Sequence, residues 1–323
     1  MCERVIAFLA KTHASDWVQH PLAGDASSRS YRRLKSPTGE TAILMNAGNA
    51  SSAEMEKFTT IADALRAVGL AAPEIYALDA PAGLMLLEDL GSIDIAQAVQ
   101  QNPDMTLACY NAATDILLKI PQVTDLELPV FSAENAAKWL APLRDWYGQV
   151  PLDITQIQTV LILAFGDLGM KPDTLALRDY HAENLIWRPE KNGLAKVGLL
   201  DFQDAVYAPA GYDLASLTRD ARRDVAPEIT KTLTEKMAHH AGKEVAEFSA
   251  QTALLAVQRN LRILGIFASL AKRDGKPQYA TLVPRVWRYL LNDLAHPALA
   301  DLNQEVRSII PAPTPDHLAK WTQ

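Results

Sequence analysis

The segment Arg178-Asp179-Tyr180-His181-Ala182-Glu183-Asn184-Leu185-Ile186-Trp187, with Gly198-Leu199-Leu200-Asp201-Phe202-Gln203-Asp204 after it, sets acidic and amide side chains at a spacing suited to moving a phosphoryl group. Asn184 stands five residues after Asp179, a short apolar run follows, and a second apolar run ends in Asp201. Phosphoryl transfer asks a protein for little covalent chemistry and much positioning and charge neutralisation. A loop carboxylate such as Asp179 can take the proton of an attacking hydroxyl. Asn184 and Asp201 offer hard oxygen ligands that suit Mg2+, an ion usually held by few protein groups together with nucleotide phosphates and water. Leu185–Trp187 and Ala195–Leu200 read as two strands, with Asn192-Gly193 as the turn that folds one back on the other. Such a hairpin would bring Asn184 and Asp201 to one end. Asp and Asn are common in loops, so the pair alone says little. The signal is the conjunction of pair, strand, Asn-Gly turn, strand and Asp-Phe in that order. His181 either touches phosphate or braces the loop through hydrogen bonds, and its place two residues past the base favours bracing.

The chain has 323 residues, enough for two domains or one large two-lobed domain. At 49% hydrophobic and 21% charged its composition is that of an ordinary soluble globular protein. The net charge of -7 leaves no broad basic footprint, and the basic patch from Arg29 to Lys35 is short, so nucleic acid is not an expected partner. Two cysteines, Cys2 and Cys109, are too few for a disulfide framework or a cysteine-rich metal site, which points to a reducing compartment. The N-terminal stretch carries an acidic residue and only a short apolar run, and no later segment is expected to reach membrane-spanning length. The expectation is a cytoplasmic monomer with a small-molecule substrate and no membrane partner.

No internal repeat or low-complexity segment is present, but the character of the chain changes near residue 90. Before it come a short helix from Glu3 to Lys11, a turn at Ser36-Pro37-Thr38-Gly39, the strand Thr41–Met45, and a helix over 53–68. That helix sets Met55, Phe58, Ile61, Ala62 and Leu65 on one face and ends at Gly69. Pro73–Leu78 and Gly83–Leu87 read as two further strands. Glu88-Asp89-Leu90-Gly91 then interrupts the apolar run as a hinge. Beyond it helices are expected at Leu107–Ile120, Glu134–Tyr147, Thr155–Leu168 and Ala253–Leu270. The reading is an α+β fold with a small N-terminal sheet lobe, 1–89, for nucleotide and a larger, mostly helical lobe, 90–323, for catalysis and substrate. The nucleotide would lie between them, its adenine edge on the hinge at Glu88 and Leu90.

The catalytic spacing matches that of protein kinases. With Pro209-Ala210-Gly211-Tyr212-Asp213-Leu214-Ala215 downstream, it resembles the aminoglycoside phosphotransferase superfamily, whose fold is protein-kinase-like. More narrowly, 24–34 (GDASSRSYRRL), 86–91 (LLEDLG), 219–225 (RDARRDV) and 258–267 (QRNLRILGIF) resemble the anomeric N-acetylmuramate/N-acetylglucosamine kinases of bacterial cell-wall recycling. The resemblance runs from about Gly24 to His296. It implies ATP-dependent phosphorylation of an anomeric hydroxyl, with Asp179 as base and Asn184 and Asp201 on Mg2+. It also implies that residues 24–32, including Ser27, Ser28, Arg29 and Arg32, form the loop over the phosphates, and that Asp213 anchors the catalytic loop from below. Arg222 and Arg223 either face a substrate carboxylate or pair with Asp220 and Asp224 on a helix surface, and the surface reading is preferred.

One departure stands out: kinases of this shape carry a lysine on the strand after the phosphate loop, paired with a helix glutamate. Thr41–Asn46 has none. Glu54 and Glu56 are left without the expected partner, and Arg29, Arg32 or Arg33 is expected to supply the cation. Alternatives to the sugar kinase are a phosphotransferase acting on an aminoglycoside, choline or another amino alcohol, and a non-catalytic nucleotide-binding module.

Overall fold

The computed structural model describes residues 3–22, 29–48 and 51–321. The chain divides into two compact units, Met1–Leu126 with Glu183–Asp204, and Glu127–Ala182 with Ala205–Gln323.

The first unit is built on a five-stranded antiparallel sheet. Its strands are β1 (Val18–Pro21), β2 (Ser30–Lys35), β3 (Thr41–Asn46), β4 (Ile75–Asp79) and β5 (Leu84–Glu88), in the order β1-β2-β3-β5-β4. The β2–β3 connection is the expected turn: Gly39 takes φ 96°, which a side chain would resist, and its N–H donates to Ser36 O. Register aligns Arg33 with Ile43 and Leu87, and Tyr31 with Met45 and Met85. Because side chains alternate along a strand, Tyr31, Arg33, Ile43 and Met45 share one face. Leu34, Ala42, Leu44 and Leu86 share the other, which forms a core with Val5, Phe8 and Leu9 of the helix Glu3–Leu9.

The helix Ser52–Ala67 starts in a capping box between Ser51 and Glu54 and buries Met55, Phe58, Ile61, Ala62 and Leu65, the face expected from its periodicity. Glu54 is thereby committed to the helix start, where the Ser51 N–H and hydroxyl hold its carboxyl below the usual range. The hairpin of β7 (Leu185–Trp187) and β8 (Val197–Leu199) belongs to this unit as well, after β6 (Thr174–Ala176) of the second unit. Its connection is not the tight Asn-Gly turn read from the sequence. Such a turn needs positive φ at both central residues, and here Gly193 has φ 56° while Asn192 is extended at φ -114°. The 3-10 turn Gly193–Lys196 takes its place, closed by Arg188 N–H to Lys196 O.

The second unit is mostly helical, with β6 paired to β9 (Val206–Ala208). Its central helix, Val245–Lys272, is long and apolar enough to cross a membrane by length and composition, contrary to the expectation that no segment would be. With 78% of its most apolar stretch buried, it is a core helix: Leu254, Val257, Leu261 and Leu264 all lie in the main apolar cluster. The helix expected over 134–147 is broken into Ala133–Lys138 and a wide turn at Leu143–Tyr147. Pro142 cannot donate into a continuing helix, and the break lets this backbone press on Gly265, where an added Cβ would stand 2.1 Å from Leu143 N and 2.2 Å from Pro142 C. Gly265→Ala is expected to cost about 1–3 kcal/mol or more and to lower the melting temperature by several degrees. An unchanged melting curve would remove this contact from the account of the break.

Candidate active site

A cavity of about 460 Å³ lies within the first unit. Tyr31, Arg33, Ile43 and Met45 form its sheet wall, Glu88 to Gly91 its hinge wall, and Asn184 and Asp201 are also in its lining. Sequence-predicted Glu88, Leu90, Asn184 and Asp201 thus meet at one cavity. Ser27 and Ser28 lie outside the described residues. Arg32 is on the opposite face of the sheet, donating to Gln19 Oε1 at 3.3 Å, and is not among the cavity's lining residues. The β3 side chains that face the cavity are Ile43 and Met45, so the strand presents no cation there. The cationic side chain in the lining is Arg33 of β2.

Three features fix the hinge. Glu88 N–H donates to Glu74 O at 2.8 Å, and the Glu88 carboxylate meets Arg66 and Arg188. Arg33 spans from β2 to Asp89 with two hydrogen bonds. Leu90 rests on Gly198, where a Cβ would come within 3.0 Å of Leu90 Cδ1, so the glycine in β8 is what lets hinge and hairpin approach.

Leu200 N–H donates to Asn184 O at 3.0 Å, which ties the two candidate metal ligands through their backbone. Asp201 takes φ 56°, a left-handed conformation costing a non-glycine residue about 1–2 kcal/mol. Its exposed carboxylate accepts from Gln203 Nε2 at 2.8 Å. Among the described residues no group of three or more His, Cys, Asp or Glu is placed to hold a metal. One carboxylate and one amide oxygen fit a hard divalent cation that draws its remaining ligands from phosphate and water.

The second unit carries Asp179 on a loop held from within that unit. Arg178, like Asp201, is left-handed, at φ 71°. Asp213, only 4% exposed, accepts the N–H groups of Leu177 at 2.6 Å and Arg178 at 2.9 Å. Burial pushes the Asp213 carboxyl up to about 6, against the pull of those two donors. The Arg178 carbonyl accepts from Ser216 Oγ and from Arg259 Nη2, and the Arg178 guanidinium lies over the Trp139 ring at 5.1 Å. Four groups therefore hold one strained residue, and they leave Asp179 exposed beside it. Ser216, Arg259 and Trp139 were not singled out from the sequence, although an arginine inside the apolar run 253–270 was a signal of a buried polar task.

His181 sits 3.5 Å from Arg222 Nη1 through its Nε2. Burial, then the neighbouring Arg222, drives its imidazole down to about 4. A histidine depressed below its unfolded value favours folding above about pH 6.5, and that contribution is lost as pH falls from about 6.5 to 4. In His181→Gln the acid-side loss of stability in this window should shrink, measured by denaturant titration, and the activity profile should keep its shape above pH 5. A rate step near pH 6.5 that disappears in His181→Gln would show a titrating role instead.

The stretch after helix Tyr212–Thr218 is not the helix surface that was expected. It is an irregular turn around Asp220, 2% exposed, which accepts Arg222 N–H at 2.8 Å and Arg223 Nε at 2.9 Å. Asp224 pairs with Arg285 and Arg288 instead.

A loop aspartate, an Asn and an Asp joined by a hairpin, and a nucleotide-sized cavity ending in a hinge define a kinase-like phosphotransferase. The chain belongs to the phosphotransferase enzyme family, whose model matches residues 18–248. It is 35% identical to the N-acetylmuramate/N-acetylglucosamine kinase of Caulobacter vibrioides, over 95% of this chain and 96% of that one. It is 30% identical to the enzyme of the same name from Pseudomonas aeruginosa, over 90% and 88%. Among solved structures it is similar in fold to a Plasmodium vivax ethanolamine kinase (TM-score 0.61, 11% identity, 85% of this chain and 82% of that one). An amicoumacin kinase in complex with AMP-PNP, Ca2+ and Ami is also similar in fold (TM-score 0.58, 16% identity, 88% and 91%). The fold is α+β and protein-kinase-like.

Proposed function

We propose that this protein is an ATP-dependent kinase that phosphorylates the anomeric hydroxyl of N-acetylmuramate and N-acetylglucosamine, giving the sugar 1-phosphate. The observation that carries the reading is the identity to kinases named for these two sugars over nearly the whole of both chains. The likeness to ethanolamine and amicoumacin kinases lies in the fold alone. Residues 1–89 supply the sheet wall of the nucleotide cavity, and 90–323 carry Leu90, Asn184 and Asp201, which also line it, with the catalytic loop and the substrate-binding part.

In this mechanism the anomeric oxygen forms a bond to the γ-phosphorus, the bond to the β-phosphate oxygen breaks, and ADP leaves. Asp179 accepts the hydroxyl proton. An anomeric hydroxyl is more acidic than an ordinary alcohol, so an exposed carboxylate suffices without a strongly raised pKa. Asp213, through the N–H groups of Leu177 and Arg178, fixes the backbone that carries the base. Asn184 and Asp201 would hold Mg2+, which when bound neutralises phosphate charge. The hinge at Glu88 and Leu90 receives the adenine edge, and Ser27, Ser28 and Arg29 are assigned to phosphate binding on the family resemblance. The enzyme works as a cytoplasmic monomer, a reading supported by the presence of only two cysteines in 323 residues.

A panel of N-acetylmuramate, N-acetylglucosamine, choline and an aminoglycoside, assayed for ADP release and followed by phosphorus NMR of the product, tests the reading. Turnover of the two amino sugars with phosphate on the anomeric oxygen is expected. A 6-phosphate, or turnover only with a cationic acceptor, would move the protein to the amino-alcohol class, and no turnover with any acceptor would make it a binding module.

A further inference from the structure

The three arginines that could stand in for the absent strand lysine are not equivalent, and the strand itself sorts them. Burial raises the Tyr31 phenol; Arg29, hydrogen-bonded to it, opposes this, and Asp201 is close enough to add to it. The start of β2 therefore lies at the end of the cavity where Asp201 is. Arg33 is two residues further along the same face, about 6–7 Å away by strand rise. There it is fixed to the hinge: Nε donates to Asp89 Oδ2 at 2.6 Å, and Nη2 donates to Asp89 Oδ1 at 3.0 Å and to the Gly91 carbonyl at 2.9 Å. Asp89 is almost fully buried, with 5% of its side chain exposed, and its Oδ1 also accepts Gly91 N–H, so the pair is held rigidly. The two N–H groups on Nη1 make no hydrogen bond to any described residue, and Arg33 lines the cavity.

We infer that Arg33 is a nucleotide-binding residue that contacts the nucleoside and not the phosphates, with Asp89 as the residue that positions it. This rests on the reading of the cavity as the ATP site. A guanidinium with one arm committed to a buried carboxylate keeps its second arm preorganised, so a donor reaches the ligand with little further loss of side-chain entropy. A lysine at the same place could satisfy Asp89 or reach the ligand, but its single ammonium lacks the planar fork that does both.

Calorimetric titration of adenosine and of ATP into the wild type, Arg33→Ala and Arg33→Lys decides the assignment. Adenosine has no phosphate. Both variants should weaken adenosine and ATP by the same factor, about tenfold or more, while Arg33→Lys keeps the wild-type melting temperature because Asp89 retains a cation. Loss of ATP affinity with adenosine unchanged would make Arg33 a phosphate contact and overturn the inference. Unchanged affinity for both ligands in Arg33→Lys would reduce the arginine to a staple between β2 and the hinge, with the same result. A wild type that binds neither ligand would refute the nucleotide reading of the cavity itself, and this inference with it.

Discussion

Asp179→Asn should lower kcat by about 10²–10⁴, the usual contribution of a positioned general base, while nucleotide affinity stays within about twofold of wild type. The asymmetry follows from where the groups lie. The cavity that would take the nucleotide is lined throughout by residues of the first unit, and Asp179 is on a loop of the second. An amide keeps the shape of the carboxylate and loses only its ability to accept the proton, so the damage belongs to the transition state and not to the ground state. The loop should survive the change, because Asp213, Ser216 and Arg259 hold the neighbouring backbone whatever occupies position 179. Single-turnover kinetics with a parallel binding titration separate the two quantities. Near-normal turnover in Asp179→Asn would remove the base assignment.

Asp201→Ala should cost at least about a hundredfold in kcat/KM, comparable to deleting one electrostatic contact to developing charge, and should shift the Mg2+ dependence of ATP binding by about tenfold or more. The loss has two parts. Asp201 is the charged member of the donor pair, and its side chain is the one that Gln203 orients. Asn184→Ala should be milder, since a neutral amide contributes less to holding a divalent cation. The measurement is ATP affinity across a magnesium series, and an identical series for Asp201→Ala and wild type would take Asp201 out of the metal site. Alanine also makes the left-handed backbone at 201 no easier to adopt, so part of the fall in activity should persist at saturating magnesium.

Much of this was legible in the chain because the relevant signals are local. The face of the helix Ser52–Ala67, the turn at Gly39, and the order of aspartate, asparagine, strand and aspartate all depend on spacing within a few residues. What escaped depends on residues far apart. Pro142 was a local signal of the break in 134–147, but the close approach of that backbone to Gly265, 123 positions later, is not revealed by anything near it. Asp220 reads as a surface charge beside Arg222 and Arg223, and only packing shows that it is buried. The hairpin turn failed for a different reason: Asn192-Gly193 is a good signal for a tight turn, but the paired residues Trp187 and Val197 leave too many residues between them for a two-residue loop. The register of the sheet was not legible either, since Arg32 and Arg33 are adjacent in sequence and only the pairing of the strands says which one faces the cavity.

The wall of the cavity carries Arg33 of β2 and no lysine of β3, which bears on how its charge could be modified. An ammonium can be discharged, by a fall in its pKa when buried or by acylation of its nitrogen. A guanidinium stays protonated at any pH the protein survives and is not a target of that modification. With Ile43 and Met45 where β3 meets the cavity, and no lysine among the described residues of its wall, the positive side of this pocket has no off state. Acylation of a lysine nitrogen therefore has no described target in this wall through which to remove its charge.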